Sequence, residues 1–374
     1  MRSLLLALFA VQLRAVLLPG PPGPYSVSYE AYSLTDNSRQ DPYAPSDNPH
    51  KRRIMVSTFI PVSKCQDCKS TELPYMPPNS TAAWGQYAAS MGLPTNIVED
   101  FQIEYCQSSK PAPKRYPVAI FSPGLTSSRL VYGVQARALA SLGYVVISVD
   151  HPYDSFFVEF PDGTSVQGSI PFSPTDAEAD AATEVRAADV SFIVDALHGS
   201  APEVSLSAEL IGSVDLKKIF AYGHSMGGAT AAEVALLDNR VLGGLDFDGR
   251  PWAKSAKTGS DRPFLIVGSE ANDALWAPYY ERFTGPKMQV TIKGSTHLSF
   301  FDLPYLFGVR PLPAEYDEVI KQLGGTIKGT RMQEIEMGYI QGFAELVLNN
   351  KTEPLRSLNA TFTEVIVSED GLSA

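Results

Sequence analysis

From residue 117 onward, short apolar runs alternate along the chain with stretches of helical periodicity. The runs are rich in Val and Ile and apolar at consecutive positions, which is typical of strands covered on both faces. Helices between such strands supply the cover on either side of a parallel sheet. The pattern therefore predicts an α/β fold with a mostly parallel sheet and helices on both faces. The predicted strands are residues 117–121, 144–149, 219–222, 241–247, 264–267 and 288–292.

The pattern continues at both ends of this region. Residues 26–32 and 53–61 are strand candidates and predict an antiparallel start to the sheet. Helical spacing of apolar side chains predicts one helix over residues 175–197 and a closing helix over about residues 332–348. Residues 64–113 have weak periodicity, and we interpret them as an excursion over the surface.

The first residues have the pattern of a secretion signal. A positively charged start precedes an apolar run, residues 4–11, that is too short to cross a bilayer. This predicts a signal peptide within residues 1–19, cleaved near Ala15 or a few residues later, with a disordered N-terminus as the alternative. Residues 20–25 are Gly- and Pro-rich and are interpreted as a linker. With no internal repeat visible, residues 20–374 are predicted to form a single domain.

Three N-x-[ST] sequons support passage through a secretory pathway. They lie at Asn79, Asn350 and Asn359. No later segment is long and apolar enough for a membrane span. We therefore expect a secreted, extracellular glycoprotein.

The composition indicates a globular protein and argues against nucleic acid as a partner. A chain of 374 residues with 44% hydrophobic content can bury a large core. Its net charge of -11 and its pI near 5.0 leave no basic stripe for phosphates, so no nucleic acid is expected as a partner.

The cysteines predict one disulfide rather than a metal site. Cys65 and Cys68 form a lone C-x-x-C with no second pair or histidine cluster to complete a metal site, so no metal is expected. An oxidising compartment favours a bond from Cys106 to either Cys65 or Cys68, with one thiol left over.

A serine between two glycines, in residues 223–227, provides a candidate nucleophile. A predicted strand enters this G-x-S-x-G turn and an Ala-rich helical stretch leaves it, which is the context of a nucleophile elbow. Only glycines at the flanking positions let strand and helix approach closely enough. Ser225 is therefore the predicted nucleophile, with a structural Gly-rich turn as the alternative.

A hydroxyl nucleophile needs a base, and the base needs an acid to orient it. Of the five histidines, His297 alone follows Ser225, as the order Ser, acid, His requires. His224 is expected to pack beside the turn, and His151 to line the pocket. Two acids fit the pattern, Asp248 after one predicted strand and Asp273 after the next. The residues alone leave both open, and the pattern favours the later one.

The same chemistry needs two backbone N–H donors for the oxyanion. One comes from the residue after the nucleophile, Met226. The other comes from the loop after an earlier strand, where Leu125 is the candidate and Pro123 has no N–H. An ordinary Pro-Gly turn is the alternative for this loop.

Taken together, these blocks resemble the secreted platelet-activating factor acetylhydrolases, over roughly residues 50 to 310. The resemblance implies an α/β-hydrolase fold and a calcium-independent serine lipase, without cofactor, that removes short or oxidised sn-2 acyl groups from phospholipids. It implies Ser225 as nucleophile, Asp248 as acid and His297 as base, and one departure from the family is Pro123 in place of histidine. The oxyanion donors carried over are Leu125 and Met226. The blocks are residues 121–125, 223–230, 244–249 and 292–297, with further similarity at residues 75–78 and from 184 onward.

The expected partner is therefore a phospholipid or another short-acyl ester. A general secreted carboxylesterase or polyesterase is one alternative, and an inactive binding protein on a hydrolase scaffold is another. Asp246 is expected to support the acid from the same strand. The apolar residues 303–309 would either contact a lipid surface or pack against the closing helix.

Overall fold

The computed structural model describes residues 15–63, 68–107, 114–271 and 274–372. The strands are β1 (Val16–Leu17), β2 (Ser26–Gln40), β3 (Lys51–Val62), β4 (Lys69–Pro74), β5 (Phe101–Gln107), β6 (Tyr116–Ser122), β7 (Val145–Asp150), β8 (Phe157–Glu159), β9 (Ser165–Gln167), β10 (Val214–His224), β11 (Val241–Phe247), β12 (Phe264–Ser269), β13 (Lys287–Ile292) and β14 (Val365–Gly371). The helices are α1 (Pro78–Ser90), α2 (Gly133–Ser141), α3 (Asp176–Leu197), α4 (Ala208–Ser213), α5 (Met226–Leu237), α6 (Ala253–Thr258), α7 (Leu303–Val309), α8 (Asp317–Gly324), α9 (Gly329–Asn349), α10 (Glu353–Arg356) and α11 (Leu358–Thr361).

The main sheet has nine strands within the described residues, in the order β14-β13-β12-β11-β10-β6-β7-β3-β2. Its central strands, from β13 to β7, run parallel, whereas β14, β3 and β2 pair antiparallel at the edges. Every predicted strand of the parallel part is present, and the antiparallel start is confirmed. The carboxyl ends of all parallel strands meet at one edge, where sites in such sheets form.

Both faces of the sheet are buried, which explains why its strands are continuously apolar. On β6, Ala119 and Phe121 belong to one core cluster and Val118 and Ile120 to the other. Helices α2, α7 and α9 contribute to the first cluster, and α3 and α5 contribute to the second. The prediction of an α/β fold with helices on both faces is therefore confirmed.

Residues 68–107, the described part of the segment interpreted as a surface excursion, are instead ordered structure that packs into the first core cluster. Strands β4 and β5 pair antiparallel, and β1 pairs parallel with β5. Phe101, Ile103 and Tyr105 are buried at alternate positions of β5, a strand period that the surrounding prolines and polar residues obscured. A disulfide joins Cys68 to Cys106, one of the two predicted pairings, and Cys65 lies outside the described residues.

The expected linker is packed against the domain. Gly23 is buried, and its N–H donates to Ser141 Oγ at 2.9 Å. A Cβ on Gly23 would lie 2.0 Å from the Ser141 carbonyl oxygen, so glycine is required here by close approach rather than by flexibility. The apolar run of the predicted signal peptide lies outside the described residues.

The C-terminal region adds an edge strand that was not predicted and buries the apolar segment after residue 302. Strand β14 is half polar and pairs on one side only, so its pattern resembles a loop. In α7, Leu303 and Leu306 are 7% and 0% exposed against the core that includes α9, which favours packing over lipid contact. No helix in the described residues is long and apolar enough to cross a membrane.

Candidate active site

The turn between β10 and α5 holds Ser225 in an uncommon backbone conformation, with φ 56° and ψ −122°. Its glycines are sterically required. A Cβ on Gly223 would lie 2.3 Å from the backbone of Gly227, and a Cβ on Gly227 would lie 1.9 Å from the Ser122 carbonyl oxygen. The Ser225 N–H donates to the Phe247 carbonyl at 2.7 Å, which ties the turn to the neighbouring strand. The sequence thus forms a strained turn with its serine at the carboxyl edge of the sheet.

Asp248 and His297 are brought together at the same edge. Asp248 follows β11, and His297 follows β13 in a short 3₁₀ segment. His297 Nδ1 lies 2.6 Å from Asp248 Oδ2. Asp248 is buried, whereas the His297 side chain is 41% exposed, so the imidazole faces the open side of the site. The alternative acid, Asp273, lies outside the described residues.

Ser269, which the sequence did not indicate, orients the Asp248 carboxylate. Its backbone N–H donates to Asp248 Oδ1 at 2.5 Å, and its hydroxyl donates to Oδ2 at 2.9 Å. Ser269 is the last residue of β12, beside the strand that carries Asp248. Its position at that strand end is the signal that could have identified it.

Asp246 lies beneath the turn rather than beside the imidazole. Its Oδ1 accepts from the Gly249 N–H and its Oδ2 from Trp276 Nε1, each at 2.9 Å. A Cβ on Gly228 would lie 1.7 Å from Oδ1, so this carboxyl also touches the start of α5. Burial raises the pKa of Asp246 to about 8. Asp246 thus holds the backbone just after Asp248.

A buried arginine of α3 donates hydrogen bonds to the loop after β6. Arg186 donates through Nη1 to the Pro123 carbonyl at 2.6 Å and through Nη2 to the Gly124 carbonyl at 3.1 Å. Asp154 pairs with the same guanidinium, accepting from Nε at 2.6 Å. Because the contacts join residues more than 60 positions apart, no local pattern could have revealed them.

Arg186 also fixes the direction of the Leu125 N–H. The Gly124 carbonyl and the Leu125 N–H belong to one planar trans peptide, so they point in opposite directions. Since Arg186 and the Ser127 N–H hold the carbonyl, the Leu125 N–H points away from them. Among the described residues, neither this N–H nor that of Met226 makes a hydrogen bond, and both residues line the cavity.

Two further histidines near the turn are buried, and of these His224 also lines the cavity. Tyr132 OH accepts from the Gly124 N–H at 3.3 Å and lies 2.8 Å from His224 Nδ1, so the loop is linked to the turn. Burial and the nearby His297 lower the pKa of His224 well below its usual value. His151 does not line the pocket as expected, because it is fully buried between Ser122 and Asp189.

These groups face a cavity of about 610 Å³. Its walls are mainly apolar and aromatic, with Ser225, His297 and Asp248 on one side. A pocket of this size and polarity suits a small organic ligand. The cavity is also lined by Tyr87, Phe172, Arg250, Trp252 and Phe301.

The fold and this edge of the sheet define the class as an esterase-type α/β-hydrolase. A ferulic acid esterase from Streptomyces cinnamoneus has a similar structure, with a TM-score of 0.76 and 26% identity over 95% of this chain and 100% of that chain. The model of the family described as platelet-activating factor acetylhydrolase, isoform II, matches residues 79–197 and 199–310. The chain belongs to this family, as the sequence resemblance indicated.

Curated relatives fall in the same group. A probable 1-alkyl-2-acetylglycerophosphocholine esterase of Arthroderma benhamiae is 28% identical over 94% of this chain and 93% of its own length. The platelet-activating factor acetylhydrolases of Cavia porcellus and Canis lupus familiaris are 26% and 29% identical over 52% of this chain. The match spans about half the length of these two animal enzymes.

Proposed function

We propose that this protein is a secreted serine esterase that removes short or oxidised acyl groups from the sn-2 position of phospholipids, through an acyl-enzyme and without calcium. The observation that carries the proposal is the 2.6 Å hydrogen bond between His297 and Asp248 at the cavity that Ser225 lines. Membership of the acetylhydrolase family supports the choice of ester.

Each group has a role in this mechanism. His297 Nε2 accepts the Ser225 proton while Oγ bonds to the ester carbonyl carbon, and Asp248 stabilises the imidazolium through Nδ1–H. The carbonyl oxygen takes up the electron pair and accepts from the N–H groups of Leu125 and Met226. Collapse breaks the bond to the alcohol, which leaves with the proton from His297. Water then hydrolyses the acyl-enzyme by the same steps.

Two features support pre-organisation of the site. Arg186 donates a hydrogen bond to the Gly124 carbonyl and so orients the Leu125 N–H of the same peptide. Donation from this N–H to an oxyanion therefore requires no flip of the Gly124–Leu125 peptide. Asp248 is held by both the N–H and the hydroxyl of Ser269, which leaves Oδ2 directed at His297. Pre-organised donors of this kind contribute most when they need not reorganise during the reaction.

A substrate panel tests this proposal. Purified secreted protein is assayed on a phospholipid with an sn-2 acetyl group, on its long-acyl counterpart, and on the isomer with the acetyl group at sn-1. We expect turnover of the sn-2 acetyl substrate above both others, and no change on adding EDTA, because the oxyanion is held by backbone N–H groups. Preference for the long acyl chain, or loss of activity with EDTA that calcium restores, would contradict the proposal.

A second function, hydrolysis of aromatic acid esters, is favoured by the aromatic lining of the cavity. Tyr87, Phe172, Trp252 and Phe301 would contact a planar acyl group. The structural similarity to a ferulic acid esterase supports the same reading. Turnover of methyl ferulate above that of the sn-2 acetyl phospholipid would favour this second function.

A further inference from the structure

The described part of the cavity wall holds one permanently charged side chain. Among the described residues that line it, Arg250 is the only lysine or arginine. Arg250 follows Asp248 by two positions, in the segment that Asp246 anchors through the Gly249 N–H. Arg250 therefore places a positive charge close to the proposed acid, Asp248, in the same cavity.

The guanidinium of Arg250 is held in place before any ligand binds. Its Cζ lies 3.5 Å from the centre of the Trp252 ring, and Nη1 donates to Tyr279 OH at 2.6 Å. Stacking on an indole fixes the guanidinium plane while leaving its edge available to acceptors. The side chain is 30% exposed, so a ligand in the cavity can reach it.

Carboxylates compensate the charge of Arg250 only in part. Among the described residues its one ion pair is with Asp176, whose Oδ1 lies 3.5 Å from Nη2 and whose side chain is 88% exposed. Such solvent-exposed pairs contribute little. Asp180 interacts electrostatically with Arg250 as well. Arginine has more N–H donors than the two hydrogen bonds found among the described residues use. The remaining donors can bind a planar or tetrahedral anion in bidentate fashion.

We propose that Arg250, held by Trp252 and Tyr279, forms a subsite for an anionic group on the ester substrate. The group is either a phosphodiester on the alcohol side or a carboxylate at the far end of the acyl chain. The protein has a net charge of -11, which repels an anionic group at long range. A cation in the cavity offsets this repulsion locally. This subsite rests on the proposed function, because it presumes that the ester is cleaved at Ser225.

The test compares three esters. One is an acetyl ester of a neutral alcohol, and the second carries a phosphodiester on that alcohol. The third is the glutaric acid half-ester of the neutral alcohol, which keeps one free carboxylate. Arg250→Gln is expected to lower kcat/KM about 10- to 100-fold for at least one anionic ester, through a higher KM, as loss of a charge-assisted hydrogen bond does. The neutral ester should change by less than about threefold. Which anionic ester is affected identifies the side on which the charge binds.

Arg282→Gln is the matched control. Arg282 stacks on the same Tyr279 ring, at 5.4 Å, but is exposed and does not line the cavity. Its removal should leave all three rates unchanged. A second variant, Arg250→Lys, keeps the charge without the planar fork and should retain an intermediate part of the anionic preference even if Arg250→Gln is unstable.

A competition assay gives an independent measurement. Dimethyl phosphate should inhibit hydrolysis of the neutral ester in both proteins, and the inhibition should be stronger in the wild type than in Arg250→Lys. Equal losses on neutral and anionic esters, or equal inhibition of wild type and variant, would overturn the subsite. Failure of the wild type to hydrolyse any ester would instead overturn the proposed function, so the two failures are distinguishable.

Discussion

At the scale of single residues, the site depends on side chains that neighbouring residues hold in place through hydrogen bonds. Both oxygens of the Asp248 carboxylate accept hydrogen bonds, from Ser269 and from His297. An amide in its place would direct an NH₂ group at one of these donors. The periodicity of the sequence left Asp248 and Asp273 open, the family resemblance favoured Asp248, and the contact with His297 supports that choice.

We expect Asp248→Asn to lower kcat by about 10⁴, because the imidazole loses the acceptor that fixes its tautomer and stabilises its charge. Asp273→Asn should change kcat little. Ser269→Ala retains the backbone donor and should cost only about tenfold or less. Steady-state kinetics on a short-acyl ester measure all three, and a larger loss in Asp273→Asn than in Asp248→Asn would move the acid to the later strand.

At the scale of elements, each proposed catalytic group follows the carboxyl end of a different parallel strand, and helix α3 fixes the loop after β6 that carries the proposed oxyanion donor. The strands and the Ser225 turn could be predicted because short-range apolar pattern and glycine sterics determine them. Arg186 and Asp154 could not, since each acts through elements distant in sequence. Strands β4 and β14 were missed because edge strands with polar positions resemble loops. Strand β5 is central in its small sheet and was missed because prolines and polar residues surround its apolar alternation.

Arg186→Met should lower kcat about 100-fold with little change in KM, as the loss of one oxyanion donor does. The reason is that the Gly124 carbonyl then keeps only its hydrogen bond from the Ser127 N–H, so the Gly124–Leu125 peptide is less firmly oriented. Arg186 acts here as a positioning residue. A trifluoromethyl ketone inhibitor, whose adduct carries the oxyanion, should bind more weakly by a similar factor.

Arg137→Met is the control for this variant. Arg137 is also buried and donates to a backbone carbonyl, that of Pro19, at 2.8 Å, but it lies outside the cavity. It should lose stability while keeping kcat and inhibitor affinity. A parallel fall in kcat for both arginine variants would assign Arg186 a purely structural role.

At the scale of the whole molecule, the core contains carboxyl groups that are more easily protonated in the folded state than in the unfolded state. Burial raises the pKa of Asp246 to about 8 and that of Asp302 to about 7. Between pH about 4 and their raised pKa values, these two carboxyls therefore keep protons in the folded protein that they have lost in the unfolded chain. Their contribution to stability is fully present below that pH and is lost as the pH rises through 7 to 8.

We expect the free energy of unfolding to be higher at pH 5 than at pH 9, and the difference to be smaller in Asp246→Asn. Urea titrations at the two pH values measure it. Asp162→Asn is the control, because hydrogen bonds from Thr164 lower the pKa of Asp162 to about 2, and its contribution is lost only at acid pH. Stability that rises between pH 5 and pH 9 would contradict this account.

The central claim, that Ser225 is the nucleophile of an acyl-enzyme, is tested most directly by covalent labelling. Wild-type protein is treated with a fluorophosphonate, digested, and the modified peptide identified by mass spectrometry, alongside Ser225→Ala. The account predicts one adduct on Ser225, complete loss of ester hydrolysis with labelling, and no labelling of the variant, which should lose about 10⁶ in kcat with unfolding behaviour near wild type. An adduct on another residue, or a tenth of the activity retained by Ser225→Ala, would contradict it.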